Sequence, residues 1–329
     1  MDKRVIVTGG AGFIGSYLVK KLLLNGYKVC VIDSVIRGDQ SRISDVLSEI
    51  DFYQADIRDE EIILNIFKKV KADLVIHLAA INGTENFYNH PQLVLDVGIK
   101  GMLSVINACH KTNVLDLIVA SSAEVYQKPD KIPTSEKVSL MIPDSLNSRY
   151  SYGGSKIISE LISFNYFKDY FRKVQVFRPH NVYGPNMGWK HVIPQFISEI
   201  NKLSRTQEIL TLTIQGNGKE TRAFCYVDDI IDGILKIYNF GKHREIYNIG
   251  NNKEISILEL INHLEILMNV KIKVKNSDIK QGSVSRRCPD LYKIYSLGYS
   301  AKVNLEEGLK RTIQWYMKNS NKILKNKLL

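Results

Sequence analysis

Short apolar runs alternate with helix-like amphipathic segments along the first half of the chain. The apolar runs lie at residues 4–8, 29–32, 52–55, 74–77, 117–120 and 174–177. The segments between them repeat apolar residues every three or four positions and lie at residues 14–25, 60–70, 91–111 and 152–170. Strands separated by helices in this way predict an α/β fold with a doubly wound parallel sheet.

The pattern loosens after Arg178-Pro179. Residues 181–189 are typical of a loop, and the clearest later elements are helices at 228–240, 256–268 and 305–317 and a strand at 271–275. Ser256 and Glu259 form a capping-box pair at the start of one of these helices. No repeat or low-complexity linker separates the halves, so we predict a sheet domain over residues 1–178 and a smaller α/β lobe over residues 179–329. Whether the chain crosses back between them stays open.

The composition is ordinary for a globular chain apart from its charge. The 329 residues carry 45 Lys and Arg against 34 Asp and Glu, a net charge of +11. We expect no nucleic-acid partner, because no compact basic block with interleaved aromatic residues is present. A general cationic field that attracts an anionic small molecule explains the charge more simply. No apolar run approaches the roughly 18 residues that span a bilayer, and no signal-peptide core is present, so we predict a cytoplasmic protein without a membrane partner.

The cysteine pattern agrees with a reducing compartment. Cys30, Cys109, Cys225 and Cys288 are far apart in the chain and form no CxxC pair. We therefore predict free structural thiols, with neither a disulfide nor a metal site.

A glycine-rich stretch, Thr8–Gly15, joins the first strand to the first helix. Gly10, Gly12 and Gly15 match the GxGxxG spacing, and Gly9, Gly12 and Gly15 match GxxGxxG. Glycines in this context let a pyrophosphate approach the backbone N–H groups at a helix N-terminus, because a Cβ would hold it off. The alternative is a tight turn that is merely glycine-rich.

Asp33 closes the second strand, 18 residues beyond Gly15. A carboxylate at this position accepts hydrogen bonds from the adenosine ribose and repels a 2′-phosphate, which favours NAD over NADP. Arg37 and Arg42 weigh against that preference, since a nearby Arg accommodates a 2′-phosphate. A surface Asp that only ends a strand is the alternative interpretation. We predict NAD as the cofactor.

Tyr152 and Lys156 lie four residues apart, on one face of a predicted helix. A free Tyr has a pKa of about 10, and a neighbouring ammonium, helped by the charge of an oxidised nicotinamide, favours the phenolate. Tyr152 would then act as a general base. The spacing alone is weak, because Tyr17 and Lys21 share it on the first helix, and a solvated helix face is the alternative.

Ser122 and Glu124 follow the predicted strand at residues 117–120. Side chains at the carboxyl ends of strands line the ligand crevice of such a sheet. Ser122 is therefore placed to hydrogen-bond a sugar hydroxyl while Tyr152 removes its proton, and Glu124 is a candidate acid–base residue. The alternative is that the serine only ends the strand and Glu124 is solvated.

Together these motifs resemble those of the extended short-chain dehydrogenases/reductases, and more narrowly of the NAD-dependent nucleotide-sugar epimerases and dehydratases. The resemblance runs from residue 4 to about residue 317 and includes Asp56-Ile57, His77–Ala80 and Arg178–Pro185. It implies a Rossmann-type sheet domain with a substrate lobe, and Ser122, Tyr152 and Lys156 as the catalytic set. It implies that NAD is held by Gly9, Gly12, Phe13, Ile14, Gly15, Asp33, Asp56, Ile57, Leu78, Ala79, Ala80, Tyr152 and Lys156.

The second lobe resembles the family's substrate-binding segments. Arg222 falls where the family binds the substrate diphosphate, and Asn181 and Arg287 fall at similar positions, with Arg286 as the alternative to Arg287. Guanidinium geometry suits a diphosphate, although a surface ion pair is the simpler explanation of each Arg taken alone. The segment 180–190 resembles the matching loop of GDP-mannose 3,5-epimerase, which favours a GDP-sugar and adds two substrate-binding candidates, His180 and Lys190.

Departures from the family pattern limit the reaction. Ala123 stands where deoxythymidine-diphosphate-sugar 4,6-dehydratases carry the Asp that protonates the leaving hydroxyl, which disfavours dehydration although Glu124 is retained. Glu124 or a neighbour also replaces the catalytic Cys of GDP-mannose 3,5-epimerase. Gly98 replaces an Asn that many relatives carry, which would alter cofactor contacts.

The resemblance therefore predicts an NAD-dependent enzyme that oxidises C4 of a nucleoside-diphosphate hexose or heptose, as a C4 epimerase or a C4 dehydrogenase. A 4,6-dehydratase or decarboxylase is the alternative reaction. An NAD-binding regulator on the same fold is the non-enzymatic alternative. The resemblance also implies a homodimer that forms through the helices at about residues 99–112 and 152–170.

Overall fold

Seven parallel strands form the central sheet of the computed structural model, which describes residues 3–278 and 284–320. The strands among these residues are, in chain order, β1 Arg4–Thr8, β2 Lys28–Asp33, β3 Asp51–Gln54, β4 Leu74–His77, β5 Asp116–Ala120, β6 Lys173–Pro179, β7 Val182–Tyr183, β8 Ile209–Gln215, β9 Thr221–Ala223, β10 Cys225–Tyr226, β11 Glu245–Ile249, β12 Glu254–Ser256, β13 Lys271–Ser277 and β14 Arg286–Arg287. The central sheet has the order β11-β6-β5-β4-β1-β2-β3. The predicted doubly wound parallel sheet is confirmed.

Helices cover both faces of this sheet. The α-helices of the described chain are α1 Phe13–Leu24, α2 Glu60–Val70, α3 Thr84–Asn89, α4 Pro91–Lys111, α5 Ser151–Asn165, α6 Val192–Leu203, α7 Val227–Phe240, α8 Ile257–Met268, α9 Tyr292–Tyr295 and α10 Leu305–Lys318. Within the same described residues, 3₁₀ helices lie at Gln40–Glu49, Ala123–Tyr126 and Ser148–Tyr150.

The two sides of each strand enter different cores, because successive side chains point to opposite faces of a sheet. On β1, Ile6 joins one hydrophobic cluster with side chains of α2, α4 and α5. Val5 and Val7 join another cluster with side chains of α1 and α7. This three-layer arrangement fixes the carboxyl ends of the strands at one edge, where the glycine loop begins.

A third hydrophobic cluster builds the smaller lobe from α6, α8, α10 and β8. The lobe contains short sheets of β7 with β10, of β9 with β12 and β14, and of β8 with β13. Between these elements the chain returns to the large sheet, since β11 pairs with β6. The third strand of the lobe's mixed sheet, β14, carries one of the predicted substrate arginines.

The bounds predicted for α2, β4 and α4 match the structure to the residue. The capping box of Ser256 and Glu259 at α8 is confirmed as well. Helix α5 ends at Asn165, earlier than the predicted Tyr170, because Tyr166 takes an extended backbone conformation. The sequence analysis missed several elements, among them α6, β8 and the central-sheet strand β11. Strand β8 nevertheless alternates buried and exposed residues with the period of two that is typical of a half-buried strand.

Helix α4 is long and apolar enough to cross a membrane by length and composition alone, contrary to the sequence expectation. Its apolar window is 56% buried within the protein, and residues such as Val97, Met102 and Val105 pack in the core beside the sheet. Burial inside the fold explains the apolar composition of this helix.

Candidate active site

The glycine loop leaves β1 at Thr8 and enters α1. A Cβ on Gly15 would lie 2.2 Å from Gly9 O, and one on Gly10 would lie 2.7 Å from Val31 Cγ1. Gly9 has a φ of 73°, in the left-handed region, with Ala79 N 2.8 Å from the position of an added Cβ. Packing therefore requires glycine at these positions whether or not a ligand binds.

Gly12 differs from the other glycines of the loop. Its backbone is extended, and a Cβ there would meet only Gly9 O, at 3.0 Å. Gly12 also caps α1, whose first turn carries no acidic residue and no side-chain cap. The missing side chain leaves space at a helix N-terminus, where the helix dipole and free N–H groups favour an anion.

Asp33 lies at the end of β2 beside this loop. Its carboxylate accepts hydrogen bonds from Ala11 N and Val35 N, both at 2.9 Å. Burial raises the pKa of Asp33, against the lowering effect of these two N–H groups and of Arg42. A Cβ on Gly38 would lie 2.5 Å from Asp33 Oδ1, so glycine at that position leaves the carboxylate accessible to a ribose.

Two arginines near Asp33, Arg37 and Arg42, contact several of the segments that border the cleft. Arg42 donates to Asn186 O at 3.1 Å and to Ala11 O at 3.3 Å, which connects the segment after β7 to the glycine loop. Arg37 lies between Gly83 and Gly188, and burial, then Arg42, lowers its pKa. Because Arg42 is engaged with backbone carbonyls, the prediction of NAD over NADP is consistent with this geometry.

The remaining predicted cofactor residues lie at the carboxyl ends of β3 and β4. Asp56 is held by Arg58 in a bidentate pair, with Nη2 to Oδ2 at 2.7 Å, which lowers its pKa. The side chain of Ile57 is 4% exposed and packs against Gly101 of α4, so only its backbone can face a cofactor. Residues 78–80 continue from β4 against Gly9.

These features fit an NAD dinucleotide. Gly12 leaves room for the pyrophosphate at the start of α1, Asp33 offers its carboxylate to the adenosine ribose, and residues 78–80 border the same cleft. Phe13 and Ile14, also predicted to contact the cofactor, form the first turn of α1.

Replacing Gly12 with Ala is expected to weaken NAD binding without unfolding the protein. The extended backbone tolerates Ala, but the new Cβ would point into the space that the pyrophosphate requires. We expect an NAD dissociation constant at least tenfold higher, measured by fluorescence titration of the apo protein. Gly15→Ala is the matched control, because its Cβ would meet Gly9 O at 2.2 Å and should lower thermal stability as well. Unchanged NAD affinity in the folded Gly12→Ala variant would contradict this assignment.

Tyr152, Lys156 and Ser122 come together above the sheet, as predicted. Tyr152 is 6% exposed, and the Lys156 ammonium lies 5.9 Å from its ring centroid. Burial raises the pKa of Tyr152, against a hydrogen bond with Ser122 that lowers it. The phenol is therefore neutral at pH 7 in this structure, and an added positive charge is needed to favour the phenolate.

Lys156 is anchored at the end of β5. Its Nζ donates to Ala120 O at 2.7 Å, and burial lowers its pKa to about 8 although Glu160 acts in the opposite direction. His77 is equally buried and bonds Thr8 Oγ1 through Nδ1 at 2.8 Å. Burial, then Lys156, lowers the pKa of His77 to about 3, so the imidazole is neutral and does not compete with the ammonium.

Phe87 on α3 completes the surroundings of Tyr152 and was missed by the sequence analysis. The two rings stack with centroids 5.0 Å apart and an interplanar angle of 8°. Phe87 is itself 2% exposed, so it excludes water from one face of the phenol. The only feature of the sequence that pointed to Phe87 was its aromatic side chain in the segment that follows β4.

Below the site, a buried ion pair joins β6 to α5. Arg178 donates to Glu160 through Nε at 2.8 Å and Nη2 at 2.5 Å, and through Nη1 to Tyr126 Oη at 2.8 Å. Ser121 donates to the same Glu160. This network fixes the end of β5, and thereby Ser122, against the helix that carries Tyr152. Glu160 was not singled out from the sequence, because nothing local marks its partner.

Glu124 is not a solvated residue. Its Oε1 accepts from Arg287 Nη1 at 2.7 Å, and its Oε2 lies 3.6 Å from Arg149 Nη2. Burial alone would raise the pKa of Glu124, but Arg287, Arg149 and Arg222 together hold it below its ordinary value. Two predicted site residues thus form one ion pair across the two lobes.

The other residues predicted to bind substrate lie in different surroundings. Asn181 donates to Ala223 O at 3.2 Å and borders a cavity of about 130 Å³ that Arg222 also lines. Lys190, predicted to bind substrate, pairs with Glu85 of α3 at 2.5 Å.

The prediction that His180 binds substrate is contradicted by its burial. Its side chain is 0% exposed and bonds Asn248 Oδ1 through Nε2 at 3.1 Å. Burial lowers its pKa to about 3, so it is a neutral residue of the interior.

His191 lines the same cavity as Arg222 and was missed by the sequence analysis. Burial, then Arg37, lowers its pKa to about 4, so it offers a neutral imidazole to a ligand. Its place in the irregular segment before α6 gave no periodic signal.

Tyr17, which shares the YxxxK spacing, donates to Pro185 O at 3.2 Å. It packs beside Phe13 rather than near Ser122. All four cysteines are buried and free. Within the described ranges, no group of three or more His, Cys, Asp or Glu side chains is arranged to hold a metal ion.

Comparisons with known proteins agree with this geometry. Residues 5–250 match the model of the NAD-dependent epimerase/dehydratase family. A putative UDP-glucose 4-epimerase of Methanocaldococcus jannaschii is 32% identical over 320 residues, covering 97% of this chain and 99% of the relative.

Two solved structures are similar over nearly their whole length. UDP-glucose 4-epimerase of Thermotoga maritima, solved with UDP-glucose, has a TM-score of 0.85 and 29% identity and covers 96% of this chain and 99% of its own. A dTDP-glucose 4,6-dehydratase of Streptomyces venezuelae, solved with NAD bound, has a TM-score of 0.86 and 28% identity, with 97% and 98% coverage.

Proposed function

The chain belongs to the NAD-dependent epimerase/dehydratase family, and we propose that it oxidises C4 of a nucleoside-diphosphate sugar to a 4-keto sugar, as a C4 epimerase or C4 dehydrogenase. The observation that carries this proposal is the convergence of Ser122, Tyr152 and Lys156 beside the glycine loop. A regulator that only bound NAD would not need a base held next to an ammonium.

Each residue of the set has a separate task. Bound NAD supplies the hydride acceptor for C4 and, in an epimerase, the hydride that returns to the sugar. Tyr152 takes the proton of the C4 hydroxyl, and Ser122 holds the same oxygen by a hydrogen bond. Lys156, fixed on Ala120 O, favours the phenolate and would hold the nicotinamide ribose when NAD is bound. Phe87 keeps water from the phenol.

The substrate lobe supports a diphosphate-linked sugar. Arg222 and Arg287 offer two guanidinium groups on neighbouring strands, and Asn181 and His191 border the cavity beside Arg222. Two arginines suit the oxygens of a diphosphate, which accept paired N–H donors. We place the sugar between these arginines and Tyr152.

Dehydration of the sugar is the second candidate reaction. It is favoured by the similarity to a dTDP-glucose 4,6-dehydratase and by Glu124, which lies at the edge of the proposed sugar site. Ala123 is 4% exposed and offers no proton, so the usual acid would have to be replaced. Decarboxylation of a 4-keto uronic acid would need the same first oxidation and stays an alternative product route.

One assay separates these reactions. The holoenzyme is incubated with UDP-, GDP-, CDP- and dTDP-sugars, with NADH followed by absorbance and the products identified by NMR. An epimer without NADH supports the epimerase, accumulated NADH with a 4-keto sugar supports the dehydrogenase, and loss of one water supports the dehydratase. The GDP-sugars test the preference predicted from the segment 180–190. Unchanged sugar with every nucleotide would contradict an enzyme for these substrates.

The proposal assigns cofactor binding and substrate binding to different parts of the chain. Residues 1–178, joined by α7 and β11, bind the cofactor, and the rest of residues 179–329 binds the nucleotide sugar. We propose a cytoplasmic location, where nucleotide sugars and NAD are both present.

We also propose a homodimer formed through α4 and α5, which expose Leu95 and Leu161 to 38% and 58%. Leu161→Asp is expected to give a monomer by light scattering at a concentration where the native chain is a dimer. The matched control is Leu24→Asp, because Leu24 is 82% exposed on α1, away from this face. A native chain that is monomeric, or a Leu161→Asp variant that stays dimeric, would contradict this interface.

A further inference from the structure

Two arginines face each other across a strand pair of the substrate lobe. Arg222 on β9 lies in register with Arg287 on β14, and both are half-buried. Like charges opposite one another on a sheet are destabilising. Burial, then the charge of Arg287, lowers the pKa of Arg222 to about 10. Such an arrangement needs an anion to offset it.

Among the described residues, a carboxylate pairs directly with only one of the two arginines, and Glu124 and Glu220 act on Arg222 without a direct pair. Arg287 donates to Glu124 Oε1 at 2.7 Å, whereas Arg222 donates to the backbone carbonyls of Thr221 and Val284, both at 2.7 Å. No carboxylate within the described ranges lies within 4 Å of the Arg222 guanidinium. The site therefore retains an excess of positive charge next to an occupied ion pair.

The charged and titratable groups around Glu124 come from four elements. Arg287 approaches from β14, Arg222 from β9 and Arg149 from the 3₁₀ helix that precedes α5. Tyr152 of α5 is close enough for the carboxylate to raise its pKa. The side chain of Glu124 is 19% exposed, so the pair is accessible to a ligand that enters the cleft.

We propose that Glu124 is a displaceable counter-ion. It neutralises Arg287 in the free enzyme, and the diphosphate of the substrate displaces it from Arg287. A diphosphate carries more charge than a carboxylate and can bind Arg287 and Arg222 together, so it should displace the Glu124 carboxylate from Arg287. The released carboxylate then lies beside Tyr152 and the sugar. Only the identity of the diphosphate as part of a nucleotide sugar rests on the proposed function.

Displacement changes the protonation of Glu124. Without Arg287 the burial of the carboxylate dominates, and the nearby diphosphate adds repulsion, so its pKa rises. Displacement therefore shifts Glu124 toward its protonated form when substrate is bound. Proton exchange at the sugar is in this way coupled to occupancy of the arginine pair.

Inorganic pyrophosphate tests the competition directly, because it has neither base nor sugar. We expect the Glu124→Gln holoenzyme to bind pyrophosphate about 5- to 150-fold more tightly than the native holoenzyme, the range of a typical coupling between sites, as measured by isothermal titration calorimetry. Glu254→Gln is the matched control, since Glu254 pairs with Arg286 on the same sheet and does not contact Arg287. It should change the affinity much less.

A second measurement separates displacement from a general effect of charge. Pyrophosphate is itself protonated near pH 5 and releases protons when it binds arginines, so the native holoenzyme is compared with Glu124→Gln at this pH, just above the ordinary pKa of Glu. The native holoenzyme should take up more protons, or release fewer, than Glu124→Gln. The uptake is obtained from calorimetry in two buffers of different ionisation enthalpy. Glu124→Gln should remove the share that belongs to Glu124. In an Arg287→Gln background, Glu124→Gln should no longer tighten binding.

Equal or weaker binding by Glu124→Gln, or proton uptake that does not depend on Glu124, would overturn the inference. Failure of pyrophosphate to bind either form would also overturn it. These outcomes are independent of turnover. If Glu124→Gln binds pyrophosphate more tightly but no sugar product is found in the substrate assay, the inference holds and the proposed function fails. If a sugar product is found but Glu124→Gln does not bind pyrophosphate more tightly, the proposed function holds and the inference fails.

Discussion

Tyr152→Phe is expected to lower kcat by about 10²- to 10⁴-fold, the usual contribution of a general acid–base residue. The change removes one oxygen and keeps the ring that stacks on Phe87 at 5.0 Å, so the fold and NAD binding should survive. The loss should therefore fall mainly on kcat, because Arg222 and Arg287, the arginines proposed to bind the substrate, lie on β9 and β14 and not on α5.

The matched control is Tyr166→Phe. Tyr166 follows the last residue of α5, is 45% exposed and does not approach Ser122. Activity with the nucleotide sugar found in the substrate assay is measured for both variants, together with bound NAD. Full activity of a folded, NAD-loaded Tyr152→Phe protein would show that another group removes the proton, and full biological function of that variant would favour the regulator.

Glu160→Gln is expected to lower the free energy of unfolding by about 3–5 kcal/mol, the usual cost of breaking a buried ion pair by removing one partner. The side chains of Glu160 and Arg178 are 5% and 2% exposed, so the guanidinium would be left charged in the interior. The same carboxylate accepts from Ser121, and its loss should loosen the end of β5 beside Ser122.

Chemical denaturation followed by circular dichroism measures this effect. The matched control is Glu306→Gln, which removes an exposed i,i+4 pair with Lys310 and should leave the unfolding midpoint unchanged. A midpoint for Glu160→Gln equal to that of the native protein would contradict the structural weight given to this pair. Arg178→Met together with Glu160→Met tests the opposite case, since removing both charges should cost less than removing one.

The sequence alone was sufficient for the parts of the site that depend on local geometry. The glycine spacing required a close turn before α1, and the i,i+4 spacing placed Tyr152 and Lys156 on one helix face. The position of Ser122 after β5 brought it to the same edge of the sheet. Each of these relations spans one or two elements whose geometry is regular, so residue spacing determines it.

Other relations join residues that are distant in the chain. Glu124 and Arg287 are 163 positions apart and meet only because β14 docks beside β9. The sequence marked both residues for the substrate site but could not pair them. His180 followed a family position in the sequence, yet the return of β11 to the sheet places Asn248 beside it and buries it.

Periodicity thus determined six of the seven strands of the central sheet, most of the long helices and the local catalytic spacings, because burial and backbone hydrogen bonding impose a regular repeat on nearby residues. The tertiary structure alone decided which charge pairs with which. Ion-pair partners depend on how separate elements pack, and in this protein that packing holds Glu124 on Arg287 and leaves Arg222 without a carboxylate among the described residues.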